Sequence, residues 1–259
     1  MILAAQQLGS GPPIVILHGL FGEGDNWRSV AKHFSERFQV VSLDLRNHGA
    51  SGWSDEMGFA EMAGDVFETV DHLGLEGFTV LGHSLGGKVA MTAAATQPER
   101  IRALVVVDIA PREYRASHEQ ILTAMTAVSN AEISSRKEAD AALLEHIPDA
   151  GVRAFLLKSL KRRPDGTYGW KMNLEAIQSE YKRILKRPAG IEAAVFNGAT
   201  LFLGAERSDY LDPARDGDAI KTAFPAAEIE MIPESGHWVH AERPEEFLRR
   251  VDAFLTRSV

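Results

Sequence analysis

The stretch Val80-Leu81-Gly82-His83-Ser84-Leu85-Gly86-Gly87-Lys88-Val89-Ala90-Met91 constrains this chain more than any other. An apolar run, Thr79-Val80-Leu81, leads into a turn with glycines two residues either side of a serine. A segment rich in Ala and Met follows, from Ser84 to Gln97, and stops at Pro98. Gly-x-Ser-x-Gly in that frame reads as a buried strand, a very sharp turn and a helix, because the glycines remove the Cβ atoms that would collide in so tight a bend. Ser84 then stands at the turn with its Oγ exposed. The first N–H groups and the positive dipole end of the helix face the same point, where a developing oxyanion is held. The pentapeptide by itself also fits an ordinary turn; the strand–turn–helix frame is what gives it chemical meaning.

A serine hydroxyl is a poor nucleophile unless a base lies within hydrogen-bond reach, and the base needs an acid to orient it. In open α/β sheets such groups gather at the carboxyl ends of strands. Among the nine histidines, His237 in Pro233-Glu234-Ser235-Gly236-His237-Trp238 follows the last strand-like run and precedes the last helix, so it is the candidate base. His240 is the fallback and reads as a packing residue at the helix entry. His83 lies inside the turn and points away from Oγ. His18 reads as a loop-fixing residue. His33, His48, His72, His118 and His146 have no strand-end context and read as surface or packing residues. Two carboxylates compete for the acid. Asp108 ends the strand Ala103–Val107 directly after the Ser84 helix and is preferred. Asp209 follows the next strand, in Gly204-Ala205-Glu206-Arg207-Ser208-Asp209, and is the alternative, with Glu206 a distant third. Two oxyanion donors are needed. One is expected from the N–H of Leu85, the other from the turn His18-Gly19-Leu20-Phe21-Gly22, at Leu20 or else Phe21. Phe21 and Trp238 are expected to line the substrate pocket, whereas Trp27, Trp53 and Trp170 read as packing or surface residues.

Short apolar runs alternate with helical patterns, the signature of a largely parallel sheet covered by helices. Strands are expected at Ile14–Leu17, Val40–Leu43, Thr79–Leu81, Ala103–Val107, Ala199–Leu203 and Glu228–Ile232, the last alternating and half-exposed. Phe59, Met62, Ala63, Val66, Val70 and Leu73 recur at helical spacing, and Phe247, Val251, Phe254 and Leu255 mark a C-terminal helix. Between Asp108 and Ala199 no strand is evident; apolar residues at 121–128, 143–147, 155–160 and 177–185 mark four helices. The expected organisation is a core of residues 1–110 and 197–259 with a helical cap, 111–196, inserted between core strands.

Composition narrows the chemistry. With no cysteine, thiol nucleophiles, disulfides and Cys-based metal sites are excluded. No clustered metal-ligand spacing appears, no Gly-Lys-Ser/Thr follows the glycine-rich turn, and neither metal nor cofactor is expected. A net charge of −8 argues against nucleic acid as a partner. No run is long enough to span a membrane, and the N-terminus lacks a basic region with a long apolar core, so a cytoplasmic location is expected.

Taken together, Leu17-His18-Gly19-Leu20-Phe21-Gly22, the run Asp44-Leu45-Arg46-Asn47-His48-Gly49-Ala50-Ser51, the Ser84 turn, Val107-Asp108-Ile109-Ala110-Pro111 and Gly236-His237-Trp238-Val239-His240-Ala241-Glu242 resemble the α/β-hydrolase superfamily. More narrowly they resemble its small bacterial carboxylesterases of the YbfF type. The resemblance implies an eight-stranded sheet, a helical cap over the site and a Ser-His-Asp triad. It also implies that the acid follows the strand after the Ser84 helix, while a Gly-x-x-x-Ser loop replaces the usual later acid; both favour Asp108, with Asp209 still available. The expected activity is hydrolysis of small-molecule acyl esters or thioesters through an acyl-Ser84 intermediate. The alternatives are C–C bond hydrolysis or perhydrolysis by the same residues, or a ligand receptor on this fold. The basic run Lys158-Ser159-Leu160-Lys161-Arg162-Arg163 reads as a solvated helix end or a site for an anionic acyl carrier.

Overall fold

The computed structural model describes residues 1–192 and 194–258. Among the described residues the strands are, in order, β1 (Ala5–Leu8), β2 (Pro13–Leu17), β3 (Gln39–Leu43), β4 (Phe78–His83), β5 (Ile101–Val107), β6 (Leu160–Arg162), β7 (Tyr168–Trp170), β8 (Ala199–Ala205) and β9 (Ala227–Ile232). The helices are α1 (Arg28–Phe34), α2 (Phe59–His72), α3 (Leu85–Thr96), α4 (Glu119–Asn130), α5 (Arg136–Leu144), α6 (Ala150–Lys158), α7 (Leu174–Ser179), α8 (Tyr181–Ile184), α9 (Pro213–Ala223), α10 (Val239–Glu242) and α11 (Pro244–Ser258).

Seven strands form one sheet in the order β1-β3-β2-β4-β5-β8-β9. Only β1 runs antiparallel to its neighbour; the other pairings are parallel. The apolar runs are continuous because both faces are covered. On β2, Val15 and Leu17 point to the face carrying α2, α3 and the insertion, while Ile14 and Ile16 point to the face carrying α1 and α11. The same alternation on β5 sends Leu104 and Val106 one way and Val105 and Val107 the other. Because the central strands are parallel, the loops after β2, β4, β5, β8 and β9 emerge at one edge of the sheet.

The expected eighth strand is absent from the described sheet. The residues before β1 add no further strand: Ala4 O accepts the Asp44 N–H just past β3, the Met1 ammonium binds Asp65, Leu3 N–H donates to Thr69 Oγ1 and Ala4 N–H to Ser51 Oγ. The insertion is helical as expected, but it also contains the antiparallel hairpin β6–β7, with Leu160 in a strand rather than a helix. The turn residues explain it. Pro164-Asp165-Gly166 bends the chain, Gly166 sits at φ 91°, and Asp165 accepts the N–H and hydroxyl of Thr167.

Candidate active site

Three carboxyl-edge loops build the site from the sheet outward. The first is the turn after β4. Ser84 adopts φ 52°, ψ −115°, a conformation foreign to most residues. A Cβ on Gly82 would lie 2.2 Å from Gly86 O, and one on Gly86 would lie 2.4 Å from Leu17 O, so both glycines are demanded by close backbone approach. The second is the turn after β2, which packs on the first: a Cβ on Gly19 would lie 3.3 Å from Ser84 Cβ.

Two buried histidines hold that second turn. His18 Nε2 accepts the Leu45 N–H at 2.9 Å and His48 Nε2 accepts the Phe21 N–H at 3.2 Å. Their Nδ1–H groups donate to the Gly19 and Arg46 carbonyls, which fixes both tautomers. Burial pushes His18 down to about 4 and His48 down to about 3, so both rings are neutral. The Phe21 N–H is therefore spent inside the protein. The N–H groups of Leu20 and Leu85 are engaged by no hydrogen bond among the described residues.

The third loop follows β9 and carries His237. The ring of His83, within the Ser84 turn, donates Nε2–H to the His237 carbonyl at 2.9 Å and ties the two loops together. His237 Nδ1 lies 2.7 Å from Asp108 Oδ2. Asp108 is fully buried, at φ 47°, and its carboxylate accepts two further bonds, from Ala205 N–H at 3.0 Å and Ser208 Oγ–H at 2.5 Å. Asp209 is exposed; only its main-chain carbonyl is used, accepting from Arg112 and Arg215. Tyr210, next in that loop, stacks on the His237 ring at 4.2 Å. Of the five non-glycine residues with positive φ among the described residues, Phe21 and Ser84 line the cavity and Asp108 touches His237. Strained backbone thus gathers where the polar side chains converge.

Ser84, His237, Leu20, Phe21 and Trp238 all line one cavity of about 360 Å³ beneath α4 and α6 of the insertion. His240 stacks on the buried Trp27 at 3.9 Å, a packing role as expected from its place at the helix entry. Trp53 is 60 % exposed and Trp170 is buried, donating Nε1–H to the Met125 carbonyl. His118 corrects the sequence reading. It caps the start of α4, lines the cavity and meets Tyr181 Oη through Nδ1 at 2.9 Å. Tyr181 Oη already accepts the Ser117 and His118 N–H groups, so its proton goes to Nδ1 and the neutral ring carries its own proton on Nε2. No strand end or motif marks His118 in the sequence; the fold of the insertion alone brings it there. Among the described residues no cluster of three or more His, Cys, Asp or Glu side chains could hold a metal ion, and no helix is long and apolar enough to cross a membrane.

A parallel sheet with a serine at the strand–helix turn, a histidine after the last strand and a helical insertion above them is the arrangement of the α/β hydrolases. Residues 12–244 match the family described as the alpha/beta hydrolase fold, and the chain belongs to it. It is 35% identical to the esterase YbfF of Escherichia coli over 97% of this chain and 96% of that protein. It is 36% identical to the sn-1-specific diacylglycerol lipase ABHD11 of Danio rerio over 95% of this chain and 79% of that one. Among solved structures, a marine microorganism esterase superimposes with a TM-score of 0.94 at 38% identity, covering 98% of this chain and 99% of the other.

Proposed function

We propose that this esterase-family protein is a carboxylic ester or thioester hydrolase working through an acyl-Ser84 intermediate, with segment 111–196 as the cap over its site. The observation that carries the reading is the 2.7 Å contact between the buried Asp108 and His237, which lines the same cavity as Ser84. Asp108 accepts the Nδ1–H of His237 and so leaves Nε2 unprotonated, as a general base requires. Ser84 Oγ attacks the carbonyl carbon while His237 takes its proton. Negative charge builds on the carbonyl oxygen, and the free N–H groups of Leu85 and Leu20 hold it. His237 then passes its proton to the leaving alcohol or thiol. Water, deprotonated by the same imidazole, releases the acid from Ser84. Phe21 and Trp238 supply apolar surface for the substrate.

Stoichiometric labelling by an organophosphonate tests the nucleophile. Wild-type protein takes up one equivalent and loses hydrolysis of p-nitrophenyl butanoate. Ser84→Ala is unlabelled, and its kcat falls by about 10⁴-fold or more. Labelling that survives in Ser84→Ala would overturn the reading.

A further inference from the structure

The space around Ser84 is divided in two. The large chamber, of about 360 Å³, is lined by His237, Trp238, Phe155, Val152 and Ile121. On the other side of the serine a lobe of about 40 Å³ runs between α3 and α8, lined by Leu85, Ile109, Tyr114, Ile184, Leu185 and Tyr210. Ser84, Leu20 and His118 border both spaces; His237 borders only the large one.

We propose that the small lobe is the acyl site and the large chamber the alcohol site, so that the substrates are short-chain acyl esters of bulky, largely apolar alcohols. This rests on the serine-hydrolase reading above. When the Oγ–C bond has formed and the C–O bond to the alcohol breaks, the departing oxygen must take a proton from the His237 imidazole. The alcohol therefore lies on the imidazole side of Ser84, which is the large chamber. With the carbonyl oxygen turned to the Leu20 and Leu85 N–H groups, the remaining substituent, the acyl chain, is left with the side that His237 does not line.

The size of the lobe sets the chain length. A water needs about 10–15 Å³ of such space, so the lobe holds about three carbon-sized groups beyond the carbonyl. Acetyl to butanoyl fit and hexanoyl does not. The end of the lobe is firm. Lys88, one turn after Ser84 on α3, is buried, and its Nζ donates to the carbonyls of Ile184 at 3.3 Å, Leu185 at 3.0 Å and Lys186 at 2.6 Å. Burial pushes Lys88 down to about 7, and the three carbonyls hold its Nζ in place as part of the lobe wall, which Arg115 also borders. Ile184 and Leu185 are thereby pinned as the wall facing Leu85 and Ile109.

The test is the acyl-length profile of kcat/KM on p-nitrophenyl acetate, butanoate, hexanoate and octanoate. In the wild type, kcat/KM falls about tenfold or more from butanoate to hexanoate. Ile184→Ala, which deepens the lobe, raises the hexanoate-to-acetate ratio about tenfold; Ile184→Phe, which shortens it, lowers butanoate relative to acetate. Phe155→Ala, in the large chamber, leaves those ratios within about twofold and instead raises KM for 2-naphthyl acetate relative to methyl acetate. An unchanged profile in both Ile184 variants, or a shift produced by Phe155→Ala, overturns the assignment of the lobes. Phosphonate labelling of each variant at Ser84 keeps the two failures apart: one equivalent bound with a contrary length profile sinks the lobes and leaves the serine mechanism standing.

Discussion

At the scale of single residues, Asp108 and Asp209 differ in environment far more than in sequence position. Both follow sheet strands. Asp108 is turned by its positive φ so that one carboxylate meets Ala205 N–H, Ser208 Oγ and His237 Nδ1, while Asp209 faces solvent. A buried carboxylate is tolerable only with such partners. Asp108→Asn is expected to lower kcat by about 10⁴-fold, because the amide offers its own N–H groups and favours the wrong imidazole tautomer. Asp209→Asn is expected to stay within about twofold, as a solvated surface change does. Steady-state kinetics on one ester with both variants checks this; a crippled Asp209→Asn with an active Asp108→Asn reverses the roles. Ser84 and His237 are legible in the sequence because a motif and a loop position single them out. The choice between the two aspartates is only a preference there, since it turns on the packing of the 206–210 loop against β5. His118 is not legible at all, because what matters is the helix start that carries it over Ser84.

At the scale of elements, the strand–turn–helix after β4 illustrates how one substitution changes sign with its surroundings. Gly86→Ala would drive a Cβ into the Leu17 and His18 carbonyls, and Gly82→Ala would meet Gly86 O. Each is expected to cost about 3 kcal/mol or more, because the contact is backbone on backbone and neither side can yield cheaply. Gly64, exposed in the middle of α2, has no positive φ, and a methyl group there would find nothing within 4 Å. Gly64→Ala is expected to stabilise by about 0.5–1 kcal/mol through helix propensity and a less flexible unfolded chain. Urea unfolding of the three variants reads both signs. Sequence periodicity is enough for α2, α11 and the buried strands, whose apolar residues repeat on a face. It misses β1, whose Ala-Gln-Gln-Leu is exposed throughout and pairs only at the sheet edge, and it misses the β6–β7 hairpin, whose strands are three residues long. Elements that bury little carry no periodic signal.

At the scale of the molecule, buried neutral histidines make the fold acid-sensitive. Burial pushes His18 to about 4, His48 to about 3 and His240 to about 3. Each folded-state value lies below the ordinary 6.5. The unfolded chain therefore takes up protons first as pH falls, and stability is full above pH 6.5 and is lost on the way down to about 4 for His18 and about 3 for His48 and His240. In that window the unfolded chain binds up to one proton more per ring than the folded protein, so the loss of stability steepens as pH falls. The urea midpoint is expected to drop steeply between pH 7 and pH 5. His240→Phe keeps a ring on Trp27, removes an Nδ1 that has no hydrogen-bond partner among the described residues, and should lower the pH slope by about one proton. A flat profile in the wild type would refute the account.

The chain by itself determined the parallel sheet, the serine turn and the histidine loop, because each is written in local spacing: glycines where Cβ atoms cannot fit, apolar runs where both faces are covered, punctuation at strand ends. Only the tertiary structure decided which aspartate meets His237, which N–H groups near Ser84 remain free, and how the insertion divides the space above it. Those depend on contacts between residues far apart in the chain, such as Lys88 with Ile184 or Phe21 with His48, and no local pattern encodes a distance across the fold.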